Sequence, residues 1–172
     1  MSDMTVFSIC MTLLMVVLQV QPSVLDTFRH KVSSECVVID YEFSTSISGI
    51  RTVGDGTVEV QRDSYHMMGN GVEIYCDGTS TWLIDEAAGE VVIESADSEE
   101  SGLLANPVML LMNLDEYGIS YSVDGDNILL TLQDGTKLDI RIIKMTSIQT
   151  KKPEAFRPPT EFSKDWIVTD LR

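Results

Sequence analysis

The chain has 172 residues, enough for one domain with a real apolar interior and too few for two comfortable ones. Its 27 acidic side chains against 12 Lys and Arg give a formal net charge of −15 at pH 7. Such a surface repels nucleic-acid phosphates and anionic headgroups, so binding driven by basic charge is excluded and nucleic acid is not an expected partner.

The first stretch, Val6 to Val20, reads VFSICMTLLMVVLQV. It is an apolar run of signal-peptide length, shorter than the roughly 20 residues of a spanning helix. The expected division is therefore residues 1–21 as an export signal and 22–172 as a single mature domain. The run is preceded only by Asp3 as a charge, and no small-x-small cleavage site stands near Val20 to Pro22. The competing reading, a buried helix of the mature domain, is opposed by Pro22 immediately after it. Ile9 fills the place where lipidation of Cys10 would need a small residue. Cys36 and Cys76 remain, and an oxidising compartment would permit their pairing without requiring it.

From Pro22 to Ser34, Val24, Leu25, Phe28 and Val32 fall at helical spacing and predict a short amphipathic helix. Strands follow. Val37, Ile39, Tyr41 and Phe43 alternate with Val38, Asp40, Glu42 and Ser44, and similar patterns centre on Val58 and Val60, Val72 and Ile74, Trp82 and Ile84, and Val91 and Ile93. Asn70-Gly71, Asp77-Gly78, Asp124-Gly125 and Asp134-Gly135 supply the positive φ angles of tight hairpins and predict an antiparallel meander. Gly54-Asp55-Gly56-Thr57 reads as a further turn between strands.

The acidic run from Glu94 to Ser101 interrupts the sheet, and Asn106-Pro107 is a cap followed by a first-turn proline. A second helix over about 107 to 116 is apolar nearly all round, so it should lie between the sheet and another element. Three more strands are marked by Ile119, Tyr121 and Val123, by Ile128, Leu130 and Leu132, and by Leu138, Ile140 and Ile142. Lys151 to Ser163 carries three prolines and reads as an extended loop before a last short strand at Trp166 to Val168. The fold class expected from these elements is α+β: a curved antiparallel sheet, a half-barrel, closed by helices.

Several stretches, in this order, resemble the LolA family of lipoprotein carriers. They are Lys31 to Ser34 closing the first helix, the glycine–strand–arginine pattern Gly56 to Arg62, and the Asp-Gly turn with its tryptophan strand from Asp77 to Asp85. Asn106 to Leu111 is similar to a proline-led lid helix, and Phe156 to Pro159 with Trp166 to Asp170 to the carboxy-terminal segment. The resemblance implies a LolA/LolB-like half-barrel and a periplasmic, monomeric chaperone without cofactor. That chaperone would bind the acyl chains of lipoproteins and move them from the inner to the outer membrane. Its partners would be acylated lipoproteins, an inner-membrane lipoprotein-releasing transporter and an outer-membrane acceptor. The alternative is a binding or sensing module of the same fold for another amphiphile, which would need the same cavity.

Flexible thioethers suit a cavity that must fit irregular chains and release them. The residues expected to wall it are Val58, Val60, Met67, Met68, Ile74, Trp82, Ile84, Val108, Met109, Leu111 and Met112, each of which also suits an ordinary core. Counting by twos from Val58 and Val60 turns Arg62 toward the interior, although Asp63 follows it where the family has proline. The resemblance implies that Arg62 latches the lid through its backbone carbonyls; the alternative is an arginine at a strand end reaching solvent. His30 and His66 lack ligand spacing and read as surface residues, no Gly-x-Ser-x-Gly elbow occurs, and Asp124 to Asn127 reads as a hairpin rather than a calcium loop. Neither a catalytic centre nor a metal site is expected.

Overall fold

A computed structural model describes residues 21–47, 50–69, 71–96, 107–159 and 162–172, with the side chains of 47 and 107–109 excepted. The expected signal segment, the Asn106 cap and most of the acidic run lie outside the described residues, as do the side chains of Val108 and Met109.

Helix α1 (Val24–Ser34) begins at Ser23, whose hydroxyl accepts from the Asp26 amide while the Asp26 carboxylate accepts from the Ser23 amide. This reciprocal cap satisfies two helix-end donors. Leu25, Phe28 and Val32 lie on one face and are buried.

The chain then forms a ten-stranded sheet: β1 (Cys36–Ile47), β2 (Ile50–Gln61), β3 (Ser64–Gly69), β4 (Val72–Asp77), β5 (Ser80–Asp85), β6 (Glu90–Ser95), β7 (Ser120–Asp124), β8 (Asn127–Thr131), β9 (Lys137–Ile148) and β10 (Ile167–Asp170). A short helix, α2 (Pro107–Met112), stands between β6 and β7, and a 3-10 turn (Pro153–Phe156) between β9 and β10. The order across the sheet is β10-β6-β5-β4-β3-β2-β1-β9-β8-β7, and the outermost strands β10 and β7 do not pair with each other. All neighbours are antiparallel except β10, which runs parallel to β6, so the sheet is open and mixed rather than wholly antiparallel.

Register assigns each side chain to a face. Val37, Val60, Tyr65 and Cys76 form one row across β1 to β4, and Ile39, Val58, Met67 and Ile74 form the next. On this face, called inner here, these rows join Leu25, Phe28 and Val32 of α1, Leu110 and Leu111 of α2, Leu114, and Ile128, Leu130, Leu138, Ile140 and Ile142 of β8 and β9 in one core. Helix α2 is shorter than expected: from Asn113 the chain turns, with the Glu116 and Tyr117 amides both donating to the Asn113 carbonyl.

Gly54 to Thr57 is not a turn but lies within β2, whose pairing with β1 runs unbroken from Val60 to Ile50. Gly54 stands opposite Phe43 and Gly56 opposite Tyr41. A Cβ on Gly56 would fall 2.7 Å from the Tyr41 hydroxyl and 2.6 Å from the Met68 carbonyl, so the glycine admits a ring rather than a reversal.

The register also separates the two cysteines. Cys76 is in the inner core, whereas Cys36 precedes inward Val37 and belongs to the outer face, three strands away or roughly 14 Å. A disulfide requires far closer Cα atoms, and both thiols are free and buried.

The outer face has its own cover. Residues 149–159 and 162–166 lie against it: the Gln61 side-chain amide exchanges two hydrogen bonds with the Lys151 backbone, Phe156 is buried against β3 and β4, and the Arg157 guanidinium meets Asp77 at 2.7 Å. The expected extended loop is thus a strap with a buried anchor. Burial works against the Asp77 carboxylate, but the Ser80 and Thr79 amides and Arg157 outweigh it and hold its pKa below the ordinary 3.8. Because the folded value is depressed, the stability Asp77 contributes is complete above its ordinary pKa and is lost as pH falls through the folded one. Asp77→Asn is expected to cost about 1–3 kcal/mol at neutral pH. Thermal unfolding of both proteins should show the gap narrowing as pH falls below 3.8; a gap independent of pH would contradict the assignment.

Candidate functional site: the inner face beneath helix α2

Six of the expected cavity residues meet on the inner face. Val58, Val60, Ile74 and Leu111 are buried there, and Met67 and Met112 pack against them half-buried. Three others do not. Ile84 is buried with Val91 and Ile93 in a separate cluster that includes Tyr75, Trp82, Phe162 and Trp166. Trp82 and Ile84 alternate with Leu83, which packs on the inner core, so they belong to the outer face under the strap. Met68 likewise alternates with Met67 and is 44% exposed. The correction has a simple cause: both faces of β5 are apolar, and a period of two sorts residues into faces without saying which face holds the helices.

Arg62 does not turn inward. β2 ends at Gln61, and Arg62 and Asp63 form a two-residue turn before β3, with Gln61 paired to Ser64. Arg62 has φ 55°, a left-handed backbone uncommon for a residue other than Gly or Asn, and its side chain is exposed. Its amide, rather than its guanidinium, makes the long-range contact, donating to the Val32 carbonyl at 2.9 Å and tying the turn to the end of α1.

The arginine that reaches α2 is Arg29, on α1. Its Nε donates to the Leu111 carbonyl at 2.9 Å, across 82 residues of sequence. The guanidinium carbon lies 5.8 Å from the centroid of the Tyr121 ring on β7, within cation–π range, and Nη2 is buried with no hydrogen-bond partner among the described residues. Arg29 was not singled out in the sequence, yet it stands four residues after Leu25 and three before Val32, which sets it on the margin of the buried stripe. A charge-assisted bond of this kind contributes about 1.5–3 kcal/mol, while the unpartnered Nη2 offsets part of it.

A cleft of about 1090 Å3 opens on the other face, across β2, β1 and β9. Its side chains include Asp40, Glu42, Asp55, Asp139, Arg51 and Arg141, and Met68 alone of the expected cavity residues reaches it. It is a polar saddle and does not suit an acyl chain. Of the two histidines, His30 is exposed; His66 is half-buried and stacks on Tyr75 at 4.0 Å between ring centroids. The Tyr75 hydroxyl donates to Glu73, and burial followed by that bond raises the tyrosine's pKa. Among the described residues no group of three or more His, Cys, Asp or Glu is placed to hold a metal ion, and no helix is long and apolar enough to cross a membrane.

No family model and no curated protein matches the sequence. The structure is similar to the crystal structure of a LolA superfamily protein from Nitrosomonas europaea, with a TM-score of 0.51 and 8% identity over 80% of this chain and 99% of that one. A conserved protein from Thermus thermophilus superimposes with a TM-score of 0.49 and 9% identity, covering 85% of this chain and 96% of the other. The class defined by the sheet and its inner helices is an open, mostly β sheet with one helix-covered face. Its particular form is the LolA-like fold.

Two substitutions separate the arginines. Arg29→Ala should accelerate hydrogen exchange at the α2 amides by roughly 10- to 100-fold, the loss expected for one charge-assisted bond. Arg62→Asn should leave that exchange unchanged and raise the melting temperature slightly, by relief of about 1 kcal/mol of backbone strain. The opposite pattern would return the latch to Arg62.

Proposed function

We propose that the protein is a periplasmic carrier that shelters the acyl chains of lipoproteins against its inner face and moves them from the inner to the outer membrane. It does so without a cofactor or catalysis of its own. The observation that carries this reading is the fastening of α2 by one arginine bond over an apolar face that includes Met67 and Met112. Among the described residues, the one side-chain hydrogen bond that the departure of α2 would break is that from Arg29 to the Leu111 carbonyl.

Magnitudes support an exchange of lid for ligand. Lifting α2 exposes Leu110 and Leu111, each worth roughly 1.5–3 kcal/mol, and breaks the Arg29 bond. An acyl chain of about fifteen methylenes gains on the order of 12 kcal/mol on burial at ~0.8 per methylene. Relative to water, one chain therefore outweighs the lid, so a chain already drawn out of the bilayer displaces α2 rather than staying in solution. Methionine side chains then repack around a chain of irregular shape at low cost. The energy for extracting a lipoprotein comes, in this reading, from an inner-membrane releasing transporter, and an outer-membrane acceptor takes the cargo. The closing structures of the half-barrel in this scheme are α1 and α2.

The test is native mass spectrometry of protein purified from periplasm without detergent, paired with release of lipoproteins from spheroplasts. Bound acylated lipoprotein and active release are expected. A different bound lipid would point to a module for another amphiphile, and an empty protein that releases nothing would overturn the carrier reading.

A further inference from the structure

We infer that Arg29 is the head-group end of the inner-face site, and that the amphiphile taken there carries a carboxylate or phosphate at the head of its acyl chain. The inference rests on the reading of the inner face as an acyl-chain site and holds whether or not the chain belongs to a lipoprotein.

Arginine presents Nε and Nη2 on one edge with nearly parallel N–H bonds, a fork that matches two oxygens of a carboxylate or phosphate. In this protein the fork is half used. Nε donates to the Leu111 carbonyl at 2.9 Å, a single acceptor, while Nη2 is buried and has no hydrogen-bond partner among the described residues. A buried donor left unpaired costs free energy, and an ester carbonyl or hydroxyl put in the place of the Leu111 carbonyl leaves the same deficit. An anion with two oxygens removes it.

The protein supplies no counter-charge either. Arg141, Arg157 and Arg172 each pair with a carboxylate, and Arg51 and Arg62 are exposed. Arg29 is partly buried, and no carboxylate among the described residues bridges it in a chain with 27 acidic side chains. Asp26, the one acid of α1, gives its carboxylate to the Ser23 amide and hydroxyl. Around the guanidinium stand instead the Tyr121 ring and α2, with Leu110 and Leu111 buried. An unpaired cation at the margin of an apolar face orients an amphiphile, with its charge at one end and its chain along the rest.

Burial of Nη2 limits what can meet it. A macromolecular surface meets exposed groups, whereas this atom is reached only by a small group that enters between α1 and α2 as the Leu111 bond breaks. The incoming anion competes directly with the tether of α2, so the head opens the site that the chain fills. Tyr121 pairs with inward Leu130 and walls the head on the side of β7. The net charge of −15 repels an anionic bilayer, but a single head in contact with Arg29 meets that cation first, because charges beyond about 8 Å are screened at physiological salt.

The test compares chains that differ only in the head: laurate and dodecyl phosphate against dodecanol, each displacing a fluorescent acyl probe from the protein at neutral pH. Both anions should bind roughly 10- to 100-fold tighter than dodecanol, the gain of one charge-assisted pair. Acetate and inorganic phosphate, which have the charge without the chain, should not displace the probe. Arg29→Met should erase the preference while dodecanol still binds, and Arg29→Lys, which keeps the charge but not the fork, should retain only part of it. The wild-type comparison needs no variant and so does not depend on how either one folds. Equal binding of laurate and dodecanol, or a preference that persists in Arg29→Met, would overturn this inference alone. Displacement by acetate or inorganic phosphate as strong as by the chains would also overturn it, in favour of a free-anion site. Binding of no chain, charged or neutral, would instead sink the acyl-chain reading on which it rests.

Discussion

Every side chain of the sheet is assigned to a face by the register of β1, which stands between β2 and β9 and pairs with each over nearly its whole length. Val37 and Ile39 point to the helices, and from them the inner rows propagate through β2, β3 and β4 without a break. A slip of one residue would exchange the faces of the entire sheet, stranding Asp40 and Glu42 beneath α1 and sending the core to solvent. The only irregularity is a bulge toward β9 between Asp40 and Tyr41, which leaves the β2 side untouched.

Because the sheet is open and apolar on both sides at β4 to β6, it needs two covers, and they differ in kind. The outer cover is held by many separate fastenings: the Gln61–Lys151 pair of bonds, Phe156, Arg157 on Asp77, and the Phe162–Trp166 stack. The inner cover at α2 is six residues long, and its one described side-chain tether is Arg29. A cover held at many points moves as a unit with the sheet, whereas one held by few contacts opens at low cost. This asymmetry makes the inner face the place for a ligand that must enter and leave.

The strands were legible in the sequence wherever one face is polar. Val37 to Ser44 alternates cleanly, and Asp77-Gly78, Asp124-Gly125 and Asp134-Gly135 all supply glycines with φ near 57° to 86° at turns. What the sequence could not supply is a face label where both are apolar. Trp82 and Leu83 are equally suited to a core, and only the strap, with Phe162 and Trp166 far along the chain, decides between them. Gly54 and Gly56 mislead for a related reason: glycines mark turns by default, and the Tyr41 ring that fills the space at Gly56 stands on another strand. Arg62 was misplaced because counting by twos presumes that the strand continues, and it stops one residue short. Arg29 needed a helical count instead, since its partner is a backbone carbonyl to which no side-chain pattern points.

The most direct measurement is photo-crosslinking with a diazirine-bearing long-chain fatty acyl probe, mapped by peptide mass spectrometry. The account predicts that label falls on inner-face residues such as Val58, Met67, Ile74 and Met112, and that it increases in Arg29→Ala. Label concentrated on Trp82, Ile84 or the outer cleft around Asp40 and Arg141 would contradict it.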